Sequence, residues 1–73
     1  MINELREAIH ATPFIPFTVA LSDGRRMRAR TVDHVHLSPR GSTLYLYPDD
    51  EHVVWVSTRH VTSVEPDEEP AVS

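Results

Sequence analysis

The sequence predicts a mainly β domain: a short N-terminal α-helix followed by a five-stranded, strongly bent antiparallel barrel. Three observations lead there. Apolar residues at Ile2, Leu5 and Ile9 keep helical spacing and stop at Thr12-Pro13. From Phe17 onward the apolar period falls to two. Short runs of that period then recur between Gly, Pro and Asp turns.

Ile2, Leu5 and Ile9 share one face of a helix, Asn3 can cap its start, and Glu4 sits where the helix dipole favours an acid. Phe14-Ile15-Pro16 then has to be extended, because a residue before proline is pushed out of the α region. Phe14 and Phe17 are expected to plug one end of the barrel. Phe17, Val19 and Leu21 point to one side of a first strand, and Asp23-Gly24 turns the chain, since glycine accepts the positive φ of a tight hairpin. The second strand returns through Met27, Ala29 and Thr31, with Arg26, Arg28 and Arg30 on its solvated face. Val32 to Ser38 alternates again and leads into the turn Pro39-Arg40-Gly41-Ser42. Thr43 to Tyr47 and His52 to Ser57 are apolar at nearly every position, which predicts strands covered on both faces. Val61 to Val64 is a last short strand. Six runs fit five strands if the second and third form one long bent strand.

With 73 residues and no cysteine, the chain makes one domain, expected at 1–66, with a modest core and no disulfide or thiolate metal site. Residues 67–73 read as a flexible acidic tail. The start lacks a basic leader and no run is long enough to cross a bilayer, so a soluble protein of the bacterial cytoplasm is expected. Net charge is −4, but four of the eleven acids lie in 65–70, and residues 1–64 hold seven acids against seven bases. Every base is Arg, and Arg25, Arg26, Arg28 and Arg30 fall within six positions. Arg suits bidentate phosphate contacts and stacking on bases.

The helix, the bent barrel and Val19-Ala20-Leu21-Ser22-Asp23-Gly24-Arg25 resemble the Sm-like family, whose first motif runs alternating apolar residues into Asp-Gly. Asp33 to Leu37 resembles the closing element of that motif, with His36 where the family carries Asn. Arg59-His60-Val61-Thr62-Ser63-Val64 is similar to the Lys-His-Ala-Ile-Ser-Thr stretch of the bacterial Sm-like RNA chaperones. The chain also looks like short bacterial proteins with a Pro-Phe-x-Pro-Phe connector and a Leu-x-Asp-Gly-Arg hairpin. The Sm-like resemblance implies an SH3-like barrel, self-association by pairing the fourth strand of one subunit with the fifth of the next, and binding of single-stranded RNA. It implies Arg59 and His60 as contacts to phosphate and base, with His36 beside them.

Arg26, Arg28 and Arg30, spaced by about 7 Å along one strand face, match the phosphate repeat of an extended strand. The alternative is a solvated face whose like charges protect a sheet edge. His34 and His36 could chelate zinc with His52 or His60, yet a His-x-His pair with no placed carboxylate more often stands in solvent. Trp55, Tyr45 and Tyr47 read first as core or subunit interface and second as stacking surfaces. No phosphate loop, nucleophile motif or poised acid pair is present, so no enzyme, cofactor, metal or small-molecule substrate is expected. A protein-interaction barrel using a strand edge or the acidic tail is the alternative to RNA binding.

Overall fold

The structure is a computed structural model that describes residues 2–49 and 51–67. It contains one helix, α1 (Ile2–His10), and six strands: β1 (Phe17–Leu21), β2 (Arg26–Ala29), β3 (Val35–Leu37), β4 (Thr43–Leu46), β5 (Val54–Ser57) and β6 (Val61–Pro66). Single 3-10 turns at Val32–His34 and Thr58–His60 precede β3 and β6. The strands form two antiparallel three-stranded sheets, ordered β2-β1-β6 and β3-β4-β5.

Among the described residues the mainly β class with its N-terminal helix is found, but the strands number six rather than five and lie in two separate sheets. Thr31 is the reason. Its hydroxyl accepts from Asp33 N at 3.2 Å and meets His34 Nδ1 at 2.6 Å, while its carbonyl accepts from His34 N at 3.0 Å. These local bonds cap a 3-10 turn in the middle of the run read as one bent strand.

The β1-β2 hairpin forms as its residues dictate. Gly24 adopts φ 94°, Gly24 N donates to Leu21 O, and the Asp23 carboxylate accepts from Arg25 N at 3.0 Å and Arg25 Nε at 2.8 Å. On the other side of β1, Ala20 pairs with Ser63 but Leu21 pairs with Val61, so Thr62 is the extra residue of a bulge. The Thr62 hydroxyl donates to Ala20 O at 3.1 Å. Ser38 organises the β3-β4 turn by accepting from both Ser42 N and Thr43 N at 3.1 Å.

One face of each sheet and the Leu5–Ile9 side of α1 enclose a single core. Phe17, Leu5, Leu44, Leu46, Val19 and Val35 are its largest fully buried side chains. Phe14, half-buried, packs on Phe17 with ring centroids 5.9 Å apart. Asp67, assigned by sequence to the tail, is held instead: its N–H donates to Pro16 O at 2.8 Å and its carboxylate meets Arg28. The remainder of that tail, 68–73, lies outside the described residues.

Candidate nucleic-acid interface

The outer face of the β3-β4-β5 sheet is aromatic. Pleating sends Val35, Leu44, Leu46 and Val56 inward and turns His36, Tyr45 and Trp55 outward. The register aligns those three in one row, His36 opposite Tyr45 and Tyr45 opposite Trp55. His36 and Tyr45 ring centroids stand 5.2 Å apart, Tyr45 and Trp55 6.0 Å, and Tyr47 adds a second contact to His36 at 5.6 Å. Trp55 is 69% exposed. Within the single chain, β4 and β5 are therefore covered by the core on one face, and their aromatic face is open. Their apolar runs are continuous because aromatic and β-branched residues pack across strands on the open side as well as in the core.

His60 lies next to this row. Its carbonyl accepts from Ser22 N at 2.8 Å and its Nδ1 meets the Ser22 hydroxyl at 3.3 Å, fixing the Thr58–His60 turn against the first hairpin. A groove of about 290 Å³ runs between the two, lined by Ser22, Asp23, Arg25, Trp55, Ser57 and His60. Arg59 is exposed in the same turn and has no ion pair among the described residues. His36 and His60, both singled out by sequence, thus flank the Tyr45–Trp55 pair, which was read first as core or subunit interface, and Arg59 is in the turn that carries His60. The signal for this pair was present: Tyr45 and Trp55 fall on the opposite parity from Leu44, Leu46 and Val56.

The arginine strand is arranged differently. Arg26 and Arg28 reach across β1, over Ala20 and Thr18, to the acids of the chain end. Arg26 makes a two-point pair with Glu65, and Arg28 one with Asp67, its Nη1 at 3.1 Å from Oδ1. Arg30 lies beyond β2, with Nη2 3.3 Å from His34 Nε2. The continuous phosphate track expected on Arg26, Arg28 and Arg30 is thus interrupted by this chain's own carboxylates.

Hydrogen bonds from Arg26, then from the Ser63 hydroxyl, hold the Glu65 carboxyl below its ordinary value; the Glu65 carboxylate in turn raises Arg26, and Asp67 raises Arg28. All four side chains stay in water, so the pairs add little net stability. Because the Glu65 value is lowered on folding, its contribution is present above the ordinary carboxylate range and is lost as pH falls through the lowered folded value. Glu65→Gln is expected to flatten part of the fall in melting temperature on acidification, an effect read from thermal melts across the acid range. Glu65→Gln with Asp67→Asn is also expected to release two guanidinium groups to polyanions. The salt slope of any RNA affinity should then steepen by about 0.7 per arginine freed.

Among the described residues no three His, Asp or Glu side chains converge on a metal-sized site. No helix among them is long and apolar enough to cross a membrane. A second groove, about 280 Å³, runs between α1 and β6 and is lined by Ala8, Ala11, Ile15, Val64 and Pro66 together with Glu4 and Glu7. Comparison with protein-family models, with curated proteins and with solved structures finds no match to this chain.

Proposed function

We propose that this chain is a small binding module that stacks the unpaired bases of single-stranded RNA on the His36-Tyr45-Trp55 row. The exposed row is the observation that carries the reading. Every base has a face that stacks on an aromatic ring, and such platforms bind single strands with little sequence preference. Arg59 supplies phosphate contact at one margin, and His60 closes the groove beside Trp55. Paired bases cannot reach a flat row of this kind, so duplexes are expected to bind poorly.

The Sm-like or SH3-like barrel remains part of this proposal. In that arrangement β2 and β3 count as the two halves of one bent strand, and a 3-10 turn leads into the last strand. β5 and β6 each end a sheet and so leave one edge unpaired among the described residues. Pairing β5 of one copy with β6 of the next gives a homo-oligomer and covers edges that otherwise invite aggregation. The module needs no cofactor and performs no catalysis in this reading.

A second reading, protein docking without RNA, draws on the groove beside α1, which Glu4 and Glu7 help to line. It predicts salt-tolerant binding that ignores changes at Trp55. The test that separates the two is fluorescence anisotropy of a short labelled single-stranded RNA with nuclease-treated protein, run alongside light scattering. Saturable, salt-sensitive binding that weakens in Arg59→Ala supports the proposal. A monomer indifferent to RNA at low salt contradicts it.

A further inference from the structure

Of the seven arginines, four are engaged. Arg25 pairs with Asp23, Arg26 with Glu65 and Arg28 with Asp67, while Arg30 contacts His34. The remaining three, Arg6, Arg40 and Arg59, come from α1, the β3-β4 turn and the turn before β6. Folding brings them to one place, the turn around Gly41.

Gly41 is buried, with φ 77°, and Arg6 Nη2 lies 2.9 Å from where a β-carbon on it would stand. Arg40 is its chain neighbour. On the other side, the Thr58 hydroxyl donates to Gly41 O at 2.8 Å and Thr58 N donates to Ser42 O at 3.0 Å, which brings Arg59 to the same end of the sheet. All three arginines are exposed, and none has an ion pair among the described residues.

The surrounding charge is one-sided. No acid occurs from His34 to Pro48 or from His52 to Val64. On α1, Glu4 and Glu7 face the groove next to β6, whereas Ile2 and Arg6 lie over Gly41. Guanidinium groups turned toward this glycine would meet no neutralising carboxylate from these segments and would repel one another. An oxyanion removes that repulsion and offers the acceptors that a planar guanidinium fork matches.

We propose that Arg6, Arg40 and Arg59 form a phosphate-binding site over the Gly41 turn. The site lies past the Thr43–Ser57 end of the aromatic sheet, so a strand stacked on Tyr45 and Trp55 can place a backbone phosphate there. Arg59 belongs to both sites, and Arg6 and Arg40 belong to this one alone.

The probe is inorganic pyrophosphate, titrated into the full chain and followed by backbone amide shifts in NMR. Saturable shifts centred on residues 6, 40–42 and 58–60 are expected. Arg6→Gln with Arg40→Gln should weaken the binding by about tenfold or more, in line with the loss of charge-assisted hydrogen bonds. Trp55→Ala should leave it unchanged. Competition between pyrophosphate and single-stranded RNA would assign the site to the phosphate backbone of the strand, and binding without competition would assign it to a free phosphate. Diffuse, unsaturable shifts, or saturable binding that survives the double Gln variant, overturn the proposal. Either of those results together with intact RNA binding leaves the stacking reading standing, so the two fail separately.

Discussion

Replacing Trp55 by alanine is expected to weaken single-stranded RNA binding by about 5- to 150-fold, the effect of losing one base–aromatic stacking contact worth about 1–3 kcal/mol. Trp55 ends the row, is 69% exposed and carries its largest ring, so it offers the largest free face. Tyr45 stands behind it in register and supports its orientation through an edge contact at 6.0 Å. Tyr45→Ala together with Trp55→Ala should therefore cost more than either change alone and less than their sum, because the two rings touch. The fold should persist. Trp55 contributes cross-strand packing on an open face rather than core volume, and such pairs are worth about 0.2–1 kcal/mol. An unchanged RNA affinity in a folded Trp55→Ala protein would remove the aromatic row from the account. Anisotropy titrations paired with circular dichroism read both quantities.

The opposite balance is expected at Phe17. This residue is fully buried, pairs with Ala29 on one side and Pro66 on the other, and touches Phe14. It belongs, with Leu5 and Ile9 of α1, to the core cluster of the described residues. Phe17→Ala should destabilise the domain by about 3–5 kcal/mol through lost burial and the cavity left behind. A domain of 73 residues has only about 4–11 kcal/mol in total at typical stability per residue. The variant should therefore unfold at a much lower denaturant midpoint, or fail to fold. A loss below 1 kcal/mol would mean that the core is not organised around Phe17.

These two positions show what the sequence makes legible. Phe17, Val19 and Leu21 alternate before Asp23-Gly24, and that pattern alone places a buried first strand and its hairpin, as found. Ile2, Leu5 and Ile9 similarly place the helix. The break at Val32–His34 was hidden, because Thr31 is as good a strand residue as a turn cap and only its bonds to Asp33 and His34 decide between them. β4 and β5 were read as doubly covered because aromatic residues look alike in a core and on an exposed platform.

Long-range electrostatics was less legible still. The pairing of Arg26 with Glu65 depends on β1 lying between β2 and β6, a topology that no local pattern states. The cluster of Arg6, Arg40 and Arg59 depends on α1 crossing a glycine that has no side chain to keep Arg6 away. What was visible in advance was a chain end rich in acids and a folded part rich in arginine, a segregation that already suggests contact between them.

The chain has a single tryptophan, so its fluorescence reports on Trp55 alone. Titrating a short single-stranded RNA into the purified protein while following this emission tests the stacking directly. Saturable quenching is expected, weakening steeply with added salt and far smaller with a duplex of the same sequence. Emission that stays unchanged while the same RNA demonstrably binds would place the strand elsewhere and contradict the aromatic row as the binding face.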